Sequence, residues 1–114
     1  MFVFQKSYVP SATEFGLYRY NFSDLDLSEL ATCQATVRMF VDMGVCEKFH
    51  VPYDVLCRWT LSVKRNYRPV TYHNWRHAFN VAHTMFCMMT VTHPPLPFCS
   101  HNALASDVIC CFVF

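Results

Sequence analysis

Charge in this chain of 114 residues ends abruptly at Arg76. Nine Lys/Arg and eight Asp/Glu are present, and all of them except Asp107 lie between Lys6 and Arg76. A small domain has a high ratio of surface to volume and needs polar residues all round it. The last third of the chain is therefore either buried against something or unlike ordinary soluble sequence. A membrane span is the first explanation to test, because spanning takes about 20 predominantly apolar residues. The stretch 78–106 does not meet it: Asn80, His83, His93, His101 and Asn102 lie within it, and Pro94, Pro95 and Pro97 break it. No membrane span is expected. The start, MFVFQKSYVPS, lacks the basic opening and long apolar core of a signal peptide.

The remaining composition narrows the class. A chain that is 54% hydrophobic and 17% aromatic is not a disordered tail. A net charge of +1 gives no basic footprint for a polyanion, so no nucleic-acid partner is expected. The seven cysteines are odd in number and irregularly spaced, and no C-x-x-C occurs. Free thiols in a reducing compartment fit that pattern, which points to the cytoplasm.

Helical spacing dominates the middle of the chain. Asp26-Leu27-Ser28-Glu29 reads as a capping box with Asp26 as N-cap and Glu29 reaching back. Leu30, Cys33, Val37 and Phe40 follow as one apolar face, and Gly44 offers a left-handed stop, so a helix is expected over 27–43. A second helix should begin near Pro52, with Asp54 at its positive end and Lys64 and Arg65 at its negative end. Its stripe is Val55, Leu56, Trp59 and Val63. A third should use Asn74 as N-cap and bury Trp75, Ala78, Phe79, Ala82, Phe86 and Met89, fading by Thr92. Residues 1–25 show no period, and the only strand-like run is Val108–Phe114. The fold class is all-α, three helices packed side by side.

Chemistry concentrates in Tyr72-His73-Asn74-Trp75-Arg76-His77. His73 and His77 are four apart, near enough at a helix start to share one metal ion or one phosphate. A neutral imidazole is what a metal needs, and a poised one suits proton transfer. Two structural histidines at a helix start are the alternative, since an H-x-x-x-H without an internal Glu is a short motif. Cys87, His93, Cys99 and His101 have zinc-ligand chemistry without zinc-finger spacing. Lys64, Arg65 and Arg68 around Tyr67 read as solvated cations at a helix end or as a phosphate contact.

YHNWRHAFNVAHTMF (72–86) resembles the first metal-binding helix of the mammalian-type cyclic nucleotide phosphodiesterases. The likeness continues through VLCRWTLSVKRNYRPV (55–70) and FSDLDLSEL (22–30), and its wording is most similar to the branch with regulatory GAF domains. That branch holds the cGMP-specific, photoreceptor and dual-specificity enzymes. The resemblance implies a compact, all-helical catalytic domain of the HD type, with a two-metal centre of zinc plus magnesium or manganese. Such a domain hydrolyses cAMP or cGMP to the 5′-monophosphate. On motif match, His73 resembles the general acid that protonates the leaving oxygen, and His77 the first metal ligand. Tyr72 resembles a residue of the substrate pocket, so Tyr72, His73 and His77 are the expected substrate-side residues. Asn74, Trp75 and Arg76 are expected to shape and pack the motif, and His83 receives no role.

The resemblance divides the chain into a lead-in (1–21), part of a catalytic domain (22–90) and a tail unlike the family (91–114). It also has clear gaps. The family's centre takes a second His, an adjacent Asp and a later Asp, yet no His-Asp pair occurs here. No Glu follows Glu47 to orient the general acid, and no Gln follows Gln34 to grip the purine. A catalytic zinc normally needs about three protein ligands. The chain is therefore expected to be an incomplete catalytic domain, inactive by itself and prone to expose apolar surface. The alternative is a non-catalytic short form that pairs, as a homo- or heterodimer, with a full-length phosphodiesterase.

Overall fold

The computed structural model describes residues 9–19 and 21–91. Five α-helices and no strand occur among these residues: α1 (Ala12–Phe15), α2 (Glu29–Asp42), α3 (Val45–Lys48), α4 (Tyr53–Asn66) and α5 (Trp75–Val91). The three long helices lie where their spacing places them. The tail, including Val108–Phe114, falls outside the described residues, as do His93, Cys99 and His101.

The start of α2 differs from its expected form. Ser28, not Asp26, is the N-cap, and its Oγ accepts from Ala31 N at 3.1 Å. Asp26 instead closes a 3-10 turn, Asp24–Asp26, whose own cap is Ser23. Glu29 cannot complete the box, because it is already the first helical residue and its carboxylate is drawn to Lys64 and Arg76. At the other end Gly44 sits at φ 76°, the left-handed conformation in which a Cβ is costly. Its carbonyl accepts from Lys48 N at 3.0 Å, so one residue ends the α2 region and opens α3. Pro52 precedes α4 as N-cap, its fixed φ already suited to the entry.

Helix α2 is the centre of the molecule, packed by α1, α3, α4 and α5. Its inner face is Cys33, Val37 and Phe40, joined by Ala35, Thr36 and Met39. Leu30 was expected on that face but is 43% exposed, and on α4 the same holds for Val55, at 40%. Leu56, Cys57 and Thr60 take the inner face of α4. Phe40 meets Trp59 edge-on across the α2–α4 seam at 5.7 Å. The buried hydroxyls of Thr36 and Thr60 donate to the carbonyls one turn back, which satisfies them inside the core.

Beyond Arg76, in its first turn, α5 carries no charge, and it is a core helix on one side. Phe79, Ala82 and Phe86 are fully buried, while Val81 and Met88 on its outer side are 39% and 52% exposed. Residues 9–19 close the core despite their lack of period. Ser11 caps α1 by accepting from Glu14 N, and Leu17 behind it is fully buried. Arg38 of α2 holds this segment by donating to the carbonyls of Val9 and Pro10 at 2.9 and 3.0 Å. No helix among the described residues is long and apolar enough to cross a membrane. Cys33, Cys46, Cys57 and Cys87 are free thiols.

Candidate functional site

The N-terminus of α5 is built by Asn74. Its Oδ1 accepts from His77 N at 2.9 Å and its Nδ2 donates to Val70 O at 3.1 Å, so one side chain caps the helix and ties down the preceding loop. His73 then falls just outside the helix and His77 within its first turn.

Three rings gather there. Tyr72 lies 4.5 Å from His77 and 4.7 Å from His73, centroid to centroid, and the two imidazoles are 5.7 Å apart. Tyr72 and His73 are exposed, and His77 is half-buried. The three residues singled out from sequence therefore form one accessible cluster.

Arg76 and Trp75 fix the cluster to the rest of the fold. The Arg76 guanidinium donates four hydrogen bonds, to Asp24 Oδ2 (3.0 Å), Asp24 O (2.8 Å), Leu27 O (2.8 Å) and Glu29 Oε1 (3.0 Å). Asn80, one turn along α5, donates to the other Asp24 oxygen at 3.1 Å. Trp75 Nε1 donates to Thr32 Oγ1 at 2.9 Å, and its ring meets Tyr67 edge-on. Lys64 and Arg76 hold the Glu29 carboxyl below its ordinary range, working against its partial burial. The Asp24 and Glu29 bonds raise Arg76 still further, so its charge is permanent. Lys64, Arg68 and Arg76, with Glu29 among them, line a cleft of about 450 Å³ whose wall also includes Asn74 and Trp75.

Asp24 and Glu29 were not recognised from sequence as partners of the motif. They lie 52 and 47 residues from Arg76, beyond any local spacing rule. His83 is placed as well. It is 5% exposed, its Nε2 is 2.8 Å from Leu17 O, and Phe22 packs on its ring at 4.6 Å. Burial holds its pKa below the usual imidazole value. Cys87, one turn on, donates to the same carbonyl at 3.1 Å. Of the Cys/His set with zinc-like chemistry, Cys87 alone is described, and it faces the core.

The described residues do not fit a two-metal centre. No three His, Cys, Asp or Glu side chains among the described residues are grouped so as to hold a metal ion. His73 and His77 are a pair with an aromatic neighbour.

No protein-family model matches the chain. Curated relatives do match. A cGMP-specific 3′,5′-cyclic phosphodiesterase of Drosophila virilis is 56% identical over 81 residues, which is 71% of this chain and 9% of that protein. The dual 3′,5′-cyclic-AMP and -GMP phosphodiesterase 11 of Drosophila melanogaster is 56% identical over 84 residues, 74% of this chain and 6% of that protein. A cGMP-specific enzyme of the same species is 53% identical over 81 residues. The chain thus spans under a tenth of the length of the curated relatives it matches. Over most of its own length the chain is a homologue of a segment of the 3′,5′-cyclic nucleotide phosphodiesterases.

Proposed function

We propose that this chain carries the segment of a cyclic nucleotide phosphodiesterase catalytic domain that holds the proton donor and one metal ligand. His73 is the general acid, His77 the ligand, and Tyr72 lines the substrate pocket. The observation that carries the reading is the identity of 56% over 81 residues, joined to a fold that brings these three side chains together at one helix start. His73 is exposed and outside the helix, so its imidazole can approach a leaving oxygen without moving the backbone. His77 is held by the capped first turn. Arg76 fixes both relative to α2. The substrate class is a 3′,5′-cyclic nucleotide, cAMP or cGMP, opened to the 5′-monophosphate. In this reading zinc with magnesium or manganese belongs to the whole domain; residues 9–91 contribute His77 and do not form the centre. Free thiols agree with a cytoplasmic setting.

The chain alone is expected not to hydrolyse cAMP or cGMP, because groups that act as a unit contribute little singly. The positive test places residues 22–90 into a full-length relative in place of the matching segment. The chimera should turn over, and His73→Ala should lower its kcat by about 10²-fold or more. A folded chimera whose kcat ignores His73→Ala refutes the assignment. Turnover by the purified, metal-supplemented chain refutes the claim that it is inactive alone.

A second reading is favoured by the outer side of α5, where Val81 and Met88 stand exposed. In it the chain acts by pairing with a full-length phosphodiesterase. Co-purification that is lost on Val81→Glu with Met88→Glu would support pairing through this face.

A further inference from the structure

We propose that Thr71, in the loop between α4 and α5, accepts a phosphoryl group from a protein kinase that reads an arginine three residues before its target. The proposal does not depend on the phosphodiesterase reading, which gives Thr71 no task.

The sequence singles this residue out. Arg68-Pro69-Val70-Thr71 places a guanidinium three residues before the hydroxyl, and no other Ser or Thr in the chain has Lys or Arg there. Kinases choose among hydroxyls largely by such charge patterns. Exposure agrees with the pattern. Residues 68–73 are all exposed, and none of them lies in a helix or strand. Among the described residues no hydrogen bond engages the Thr71 hydroxyl, and no ion pair engages Arg68. Other exposed hydroxyls are occupied: those of Ser11, Ser23 and Ser28 accept at caps, and that of Thr84 donates to Asn80 O. Thr13 and Ser62 lie inside helices, which cannot run straight along a kinase cleft.

The loop can be drawn out by a local opening. Its backbone bonds are short-range, Val70 N to Arg68 O and Asn74 N to Tyr72 O, each at 2.8 Å, and the Asn74 side chain adds one to Val70 O. None of the three reaches a helix other than α5, so extending Thr71 leaves the core closed. In the transfer, the γ-phosphorus of Mg²⁺-bound ATP bonds to Thr71 Oγ1 as its bond to the β-phosphate oxygen breaks. The hydroxyl proton passes to the kinase's catalytic carboxylate, and ADP leaves. The product has a seat. Arg68, Val70 and Asn74, on both sides of Thr71 in sequence, share with Lys64 the wall of the cleft of about 450 Å³. A guanidinium matches phosphate oxygens in geometry and charge. Arg68 thus selects the site before transfer and pairs with the product after it.

The test incubates the purified full chain with Mg²⁺, ATP and a serine/threonine kinase selective for arginine at that position. Intact mass gives the uptake and tandem mass spectrometry the modified residue. Phosphate should appear on Thr71. Thr71→Val should abolish it, and Arg68→Ala should slow it by about tenfold or more, the loss expected for one charge-assisted bond. Phe79→Ala, which loosens the core, should leave the initial rate within about twofold, because the folded loop is the substrate. No uptake, or phosphate on another hydroxyl in place of Thr71, overturns the proposal. So does a rate indifferent to Arg68→Ala, or one that rises many-fold in Phe79→Ala, since the unfolded chain would then be the substrate. The wild-type spectrum decides without relying on any variant to fold.

Discussion

Replacing Arg76 with Met keeps its aliphatic bulk and removes all four hydrogen bonds between the start of α5 and residues 24–29. Asp24, 8% exposed, is left with Asn80 as its remaining side-chain donor. Stripping one partner from a buried ion pair costs about 3–5 kcal/mol. The Arg76 side chain is 30% exposed and that of Glu29 56%, so solvent screening brings the expected loss to about 2–3 kcal/mol. With a urea m-value of about 1–1.5 kcal/mol/M, the midpoint should fall by about 2 M. Both tryptophans, Trp59 and Trp75, report the transition by fluorescence.

The pH dependence adds a second constraint. Glu29 has a depressed folded pKa, held down by Lys64 and then by Arg76. A depressed carboxyl contributes stability that is present above its unfolded value, 4.5, and lost as pH falls through the folded one. Arg76→Met removes part of that contribution and leaves the Lys64 part. The gap between wild type and variant should therefore be widest at neutral pH and narrow as pH falls below 4.5 and through the folded value. A variant within about 0.5 kcal/mol of wild type at pH 7, or a gap indifferent to pH, would refute the view that this ion-pair hub holds α5 in place.

Two further perturbations probe the core and the helix caps. Phe79→Ala, at a fully buried position, should cost about 3–5 kcal/mol, while Met88→Ala, 52% exposed, should stay within about 0.5 kcal/mol, both by urea titration. Ser28→Ala should cost about 1 kcal/mol of stability and Asp26→Ala clearly less, and the reverse order would restore Asp26 as the cap.

Much of this architecture follows from local spacing. Asn74, Pro52 and Gly44 each mark a helix boundary through a local cause: a short acceptor, a fixed φ, a freedom to turn left-handed. The buried face of α5 follows from its periodicity, but the burial of His83 does not, because its acceptor, the Leu17 carbonyl, lies 66 residues away. Asp26 and Ser28 both suit an N-cap, and the choice is decided by Lys64 and Arg76 drawing Glu29 away, 35 and 47 residues further on. Leu30 and Val55 sit at the edges of their stripes, where spacing cannot say how far a neighbouring helix extends. Helix α1 carried a sign in Ser11 and Glu14, but four residues are too few for a period. The ring cluster was legible because Tyr72, His73 and His77 are neighbours in sequence, whereas its Asp24 support was not.

The Leu17 carbonyl, shared by His83 and Cys87, bears on the order in which the chain assembles. Helices α2 and α4 are near in sequence and can meet early, whereas the contact at Leu17 joins residues 70 apart. Synthesised from its N-terminus, the chain can hold residues 9–11 against α2 through Arg38 before α5 exists, but the Leu17 carbonyl meets its two α5 partners only once Cys87 has been made. Of the long helices described, the last in sequence is the one that completes the burial of Leu17.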